Sequence, residues 1–100
     1  MKIEIKSPIV TEKIKNQNYI INYGTIKKGS KTNIEFIFTD CVYHTHTKTC
    51  GCTHPSITIT NDGFDLSISY DSNKVGTINQ STTITTDKGK VKIELKGLVQ

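Results

Sequence analysis

Residues 56–70 read SITITNDGFDLSISY, two runs of alternating apolar and polar residues on either side of Asn61-Asp62-Gly63. Such alternation is typical of a strand with one buried face, because successive side chains of a strand point to opposite sides of the sheet. Asp-Gly also tolerates the positive φ angles of a tight primed turn. The segment therefore predicts an antiparallel hairpin. Ile57 and Ile59 share one face of its first strand, and the inner face of its second strand carries Phe64, Leu66, Ile68 and Tyr70.

The same alternation continues upstream and downstream of this hairpin. Further β-rich runs cover residues 19–23, 32–39, 42–47, 77–86 and 90–99, separated by short turn segments. Two of these runs carry clear apolar faces, formed by Ile34, Phe36 and Phe38 and by Val91, Ile93 and Leu95. The connections are too short for parallel crossovers, which need about a dozen residues or more. The pattern predicts an all-β fold, an Ig-like β-sandwich of about seven or eight antiparallel strands.

Composition supports this class of fold. The chain has 100 residues, with fifteen Ile and fifteen Thr against three Leu and no Ala. This length corresponds to one small domain. β-branched residues pack well on a pleated sheet, whereas helix-rich proteins depend on Ala and Leu. The composition therefore excludes a helical bundle.

Two segments are predicted along the chain. Residues 1–18 are an N-terminal strand and arm, in which 2–6 alternates as a strand and the polar run 11–18 is interpreted as a loop or arm. Residues 19–100 are the Ig-like β-sandwich domain. We expect the arm to contact a partner by adding the strand 2–6 to an exposed sheet edge.

The charge balance argues against specific nucleic-acid binding. Thirteen Lys face nine Asp and Glu, for a net charge of +4, and the chain has no Arg. Arg is the residue that recognises bases and phosphates in bidentate fashion. Met1 is followed by a strand pattern rather than a signal peptide, and no run approaches the ~18 apolar residues of a membrane span. The sequence predicts a protein without a membrane span that is kept inside the cell or leaves it by a route other than secretion.

All three Cys and all three His lie within residues 41–54. Thiolates and imidazoles are the ligands that zinc and copper(I) prefer. The clustering raises the hypothesis of a zinc site made by any four of Cys41, His44, His46, Cys50, Cys52 and His54. Only Gly51 separates Cys50 from Cys52, however, whereas structural zinc sites place two to four residues between paired cysteines. The alternatives are a buried cysteine pair with surface histidines, and a disulfide between the sheets.

An enzymatic role for this cluster is weaker. Cys50 or Cys52 as nucleophile would need His44 or His54 as base, an orienting third group and a pocket. A sandwich of this size offers little pocket, and the Asp residues fit turn positions better than an acid/base pair. The sequence therefore predicts a protein that is not an enzyme.

Several segments occur in the order typical of one protein family. They are residues 23–29, 36–38, 49–53, 67–71, Gly76, 83–86 and 93–97. Together they resemble a bacterial Ig-like domain-of-unknown-function family with a Cys-Gly-Cys-Thr motif, over about residues 19–99. Asn61-Asp62-Gly63 replaces the family's Pro-Gly turn, and the three histidines are additional to its pattern. The resemblance implies a non-catalytic binding or structural module, usually directed to the cell envelope.

These features lead to one main hypothesis and two alternatives. Bacteriophage particles commonly carry small Ig-like domains, and Lys, Ile and Asn usage here is that of an AT-rich genome. The main hypothesis is an auxiliary (decoration or cement) capsid protein of a bacteriophage virion, assembled in the host cytoplasm, with the major capsid protein as partner. The first alternative is an envelope or secreted bacterial Ig-like interaction module. The second is a small Cys/His metal-binding protein.

Overall fold

The computed structural model describes residues 1–6, 10–14 and 17–100. Over these residues the chain forms nine β-strands and no helix. The strands are β1 (Lys2–Lys6), β2 (Val10–Ile14), β3 (Asn18–Ile26), β4 (Ile34–Thr39), β5 (Tyr43–Lys48), β6 (Thr53–Ile59), β7 (Gly63–Tyr70), β8 (Gly76–Thr86) and β9 (Gly89–Val99). The all-β prediction is confirmed.

The strands form two sheets packed face to face. The first sheet has the order β1-β4-β7-β6, and the second has the order β2-β3-β9-β8-β5. The first sheet and the β5-β8-β9 part of the second follow the order of an immunoglobulin-type sandwich. The β2–β3 hairpin extends the second sheet beyond β9. The predicted Ig-like β-sandwich is therefore the observed architecture.

One detail of the strand prediction is wrong. The described residues contain nine strands, close to the expected number of about seven or eight, but β3 pairs with β9 in parallel, with Tyr19 opposite Ile93. Short connections exclude parallel pairing only between strands that are neighbours in the chain. Since β4 to β8 all lie between β3 and β9 in the chain, a long crossover is available for this parallel pair.

The interpretation of residues 11–18 as a loop or arm is also wrong in part. Residues 10–14 form β2, which pairs antiparallel with β3, with Val10 opposite Asn22. A polar strand is suited to this position, because an edge strand is solvated on its open side. The rest of the proposed arm falls partly on residues 7–9 and 15–16, which lie outside the described residues.

The predicted inner faces form the core. The side chains of Phe36, Phe38 and Phe64 are fully buried, and the rings of Phe38 and Phe64 stack with centroids 4.4 Å apart. The predicted apolar faces of β4, β7 and β9 are all buried, apart from the half-buried Tyr70. Ile59 is an exception, because it is 67% exposed as the last residue of an edge strand. Ile57 and Ile59 do share one face of the strand, since they lie opposite Leu66 and Phe64.

One buried hydroxyl group connects the end of β7 to the β3–β4 loop. The Thr32 Oγ1 hydroxyl donates to the carbonyl oxygen of Tyr70 at 2.6 Å and accepts from the Tyr70 amide at 2.8 Å. The Tyr23 hydroxyl in turn donates to the Thr32 carbonyl oxygen at 3.0 Å, and burial raises the pKa of Tyr23. These bonds hold the segment that follows β7, which contacts the candidate site described below.

The 61–63 turn closes the predicted β6–β7 hairpin, but for a different physical reason. Neither Asp62 nor Gly63 has a positive φ angle. A Cβ atom on Gly63 would instead overlap the carbonyl oxygen of Phe38 and lie 2.9 Å from its carbonyl carbon. Glycine is needed here because β4 and β7 approach closely at this point.

We expect Gly63→Ala to lower the free energy of unfolding by about 1–3 kcal/mol, the usual cost of overpacking. Gly51→Ala is the matched control, because nothing lies within 4 Å of a Cβ built on Gly51. Urea unfolding of both variants measures the effect. Equal stability of the two variants would contradict the close approach.

Candidate functional site

The segment between β5 and β6, residues 49–52, crosses from one sheet to the other at one end of the sandwich. We call it the Cys-Gly-Cys loop. β5 is the edge strand of the second sheet and β6 is the edge strand of the first. The loop is therefore placed where two sheet edges meet.

Cys50 and Cys52 form a disulfide with Cα atoms 5.2 Å apart. The Cys52 amide donates a hydrogen bond to Cys50 Sγ at 3.1 Å, and the Thr53 amide donates to the Cys50 carbonyl oxygen at 3.2 Å. The alternative of a disulfide between the sheets is not observed for this pair, since the bond stays within one loop. Both cysteines are partly exposed, and Gly51 between them is exposed.

Hydrogen bonds that involve no sulfur atom anchor the loop on both sides. The Thr49 amide donates to the Ser81 carbonyl oxygen at 3.1 Å, and the Ser81 amide donates back to Thr49 Oγ1 at 2.9 Å. On the first sheet's side, the Asp71 amide donates to the Cys52 carbonyl oxygen at 2.7 Å. The loop is thus held by β8 and by the residue that follows β7.

Cys41 lies at the opposite end of β5. It precedes the strand, whereas Cys50 follows it, and a strand of six residues spans about 20 Å. Cys41 is a free thiol that is 7% exposed. Burial raises the pKa of Cys41, and the negative charge of Asp87 adds to the shift. Both effects reduce the thiolate fraction at neutral pH, so this thiol is poorly reactive.

The three histidines do not converge on either cysteine site. His44 lies at a β-bulge of β5, where the register shifts between Tyr43 and Thr45, and is exposed. A hydrogen bond of 2.6 Å joins His46 Nδ1 and the Tyr43 hydroxyl group. His54 is exposed on β6. The bulge interrupts the alternation that would have placed His44 and His46 on one face.

The structure therefore does not gather the predicted zinc ligands. Among residues 1–6, 10–14 and 17–100, no group of three or more His, Cys, Asp or Glu side chains could hold a metal ion. Cys50 and Cys52 are bonded to each other, and Cys41 is a strand length away. The same disulfide occupies the two sulfur atoms considered as nucleophiles.

The end of the sandwich near Cys41 holds an open cavity of about 330 Å³ between three turns. Asp40, Asp62 and Asp87 line it. The Asp40 amide donates to the Asp62 carbonyl oxygen at 2.7 Å through main-chain atoms, and Asp87 Oδ1 accepts from the Val42 amide at 2.6 Å. The Asp87 carboxylate therefore joins the β8–β9 turn to the start of β5.

Three of the four edge strands, β1, β5 and β6, differ in how they limit further pairing. β5 carries the bulge at His44, and β6 carries Pro55, which has no amide hydrogen to donate. β1 has neither a bulge nor a proline and is protected only by its length of five residues and its charged side chains, and no described strand pairs with its outer side. Its exposed side chains are Lys2, Glu4 and Lys6, while Ile3 and Ile5 pack against the core. This open edge was not predicted, because sequence alternation does not show strand order.

No protein-family model and no curated protein matches the chain. The resemblance to the Cys-Gly-Cys-Thr family stays a prediction. The described part of the chain contains no helix that is long and apolar enough to cross a membrane.

Replacing both loop cysteines, Cys50→Ser with Cys52→Ser, is expected to lower the free energy of unfolding by about 1.5 kcal/mol or less. The disulfide closes a ring with one intervening residue, so it removes little entropy from the unfolded chain. Urea unfolding of the double variant and of the oxidised parent measures this. A loss above about 3 kcal/mol, typical of a bond that closes a long loop, would contradict a purely local role.

Proposed function

We propose that the protein is a non-enzymatic structural protein, an auxiliary capsid protein of a bacteriophage particle, which binds the major capsid protein. The observation that carries the proposal is the open edge of β1. An edge strand presents unpaired amide and carbonyl groups, onto which a partner chain can add a strand. The two edge strands that flank the Cys-Gly-Cys loop are less open to pairing, because β5 carries a bulge and β6 carries a proline.

The position of β1 changes the expected mode of contact. The strand was expected to leave the domain and add to a partner's sheet, but it pairs with β4 of its own chain, with Ile3 opposite Phe38. In the proposal, β1 therefore accepts a strand from the partner while it stays in place. Lys2, Glu4 and Lys6 then lie beside the incoming strand and select its charges.

The disulfide favours a second candidate, the envelope or secreted interaction module. Disulfides persist in oxidising compartments and are rare in the cytosol. A Cys50–Cys52 bond that is present in the cell would suit a protein of the bacterial envelope. The two candidates differ in where the protein is found, so fractionation separates them.

The first test is quantitative mass spectrometry of density-purified phage particles and of envelope fractions from the same culture. The proposal expects the protein in the particles, at a constant ratio to the major capsid protein. Recovery in the envelope alone would support the second candidate and contradict the first.

The role of β1 is tested by binding to particles that lack the protein. Lys2→Glu with Lys6→Glu should weaken binding by about tenfold or more, because two charges beside the added strand are reversed. Lys48→Glu with Lys74→Glu is the matched control, since it makes the same charge change at exposed residues of β5 and of the β7–β8 connection, which do not pair with β1. Equal binding by both variants would exclude the β1 edge as the contact.

A further inference from the structure

The Cys-Gly-Cys loop has properties that a structural disulfide does not need. The bond joins residues of one loop and crosses no pair of strands, so it adds little to the connection between the sheets. Its cysteines are partly exposed, in contrast to the buried Cys41. Structural disulfides usually resist reduction, whereas exposed disulfides are reduced more easily.

The anchors of the loop do not depend on the sulfur atoms. Thr49 is bonded to Ser81, and the Cys52 carbonyl oxygen to the Asp71 amide, through atoms that reduction of the disulfide does not alter chemically. The Tyr70 backbone, held on both sides by Thr32, fixes the position of Asp71. After reduction the two thiols therefore remain close together, and the bond can form again.

The two sulfur atoms are not equivalent. The Cys52 amide donates a hydrogen bond to Cys50 Sγ, with 3.1 Å between nitrogen and sulfur. A hydrogen bond of this kind stabilises a thiolate at Cys50. Cys50 is therefore the better leaving group, and Cys52 Sγ is the atom that an incoming thiolate attacks.

We propose that Cys50 and Cys52 form a reversible thiol–disulfide exchange site whose substrates are thiolates of low-molecular-weight thiols or of protein dithiols. This inference does not depend on the virion role. It rests on the position of the disulfide, the anchors of the loop and the amide that faces Cys50.

The exchange takes place in two steps. A thiolate, formed when the incoming thiol loses its proton to solvent, attacks Cys52 Sγ. A new sulfur–sulfur bond forms, the Cys50–Cys52 bond breaks, and Cys50 leaves as a thiolate that takes a proton from solvent. A second thiolate then attacks the sulfur atom bonded to Cys52 and releases Cys52. The two incoming thiols lose two electrons and two protons, and the cysteine pair gains them.

The equilibrium is tested by incubating the folded protein in buffers with varied ratios of reduced to oxidised glutathione at millimolar concentration. Acid quenching, alkylation and mass spectrometry then measure the free thiols. We expect the Cys50–Cys52 bond to open and close within this range, while circular dichroism shows a folded protein throughout. A bond that opens only together with unfolding would overturn the proposal, and a bond that stays closed at every glutathione ratio is tested with a dithiol.

Dithiothreitol replaces glutathione in a second arm to distinguish the two sources of thiolate. Opening by both reagents indicates a site that accepts small monothiols, whereas opening by dithiothreitol alone indicates a site that needs a dithiol, whose second thiol completes the exchange. The absence of opening with either reagent overturns the proposal. If oxidised glutathione yields only mixed disulfides with the reduced protein, the proposal fails as well.

The assigned roles are tested with single-cysteine variants. Cys52→Ser keeps the amide that faces Cys50, so Cys50 should react with iodoacetamide several-fold faster at neutral pH than Cys52 does in Cys50→Ser. Cys41 is present in both variants and serves as the internal slow thiol. Equal rates for Cys50 and Cys52 would contradict the role of the amide.

Discussion

The packing of two inner sheet faces around Phe36, Phe38 and Phe64 is the interaction on which the other features of this chain depend. Phe36 and Phe38 come from β4 and Phe64 comes from β7, and Tyr43 of β5 packs edge-on against Phe64 with ring centroids 5.3 Å apart. This contact joins the first sheet to the edge of the second. Because apolar burial is the main favourable term in folding, these residues set how the sheets are aligned.

The alignment in turn determines where the strands end. β5 starts beside the core at Tyr43 and ends at the opposite end of the sandwich, where the chain must cross to β6. The Cys-Gly-Cys loop makes this crossing, and hydrogen bonds to Ser81 of β8 and to Asp71 after β7 hold it in place. Cys41, at the near end of β5, is buried instead. β5 therefore separates the exchange-competent Cys50–Cys52 pair from the single, poorly reactive thiol of Cys41.

The parts of the fold that depend on local pattern could be predicted from the sequence. Alternation identified the inner faces of β4, β7 and β9, because a side chain's face in a strand follows from its position alone. Strand order, the parallel β3–β9 pair and the close approach at Gly63 depend on contacts between distant segments, and no local pattern encodes them. The polar β2 was missed for the same reason, since only its pairing with β3 makes it a strand.

The candidate site shows the same division. The clustering of Cys and His drew attention to residues 41–54, but density along the chain does not give proximity in space. The bulge at His44 and the length of β5 keep the side chains apart. Cys50 and Cys52 come together because they are neighbours in the sequence, whereas their anchors lie about 20 to 30 residues downstream, Asp71 directly after β7 and Ser81 within β8.

The central claim is that the Cys-Gly-Cys loop changes its redox state without disturbing the sandwich. Amide NMR spectra of the oxidised and reduced protein test it most directly. The account predicts chemical-shift changes confined to residues 48–54 and their partners near Asp71 and Ser81, with the amides of Phe36, Phe64 and Ile93 unchanged. Shifts throughout the core on reduction would contradict it, because the disulfide would then support the packing of the two sheets.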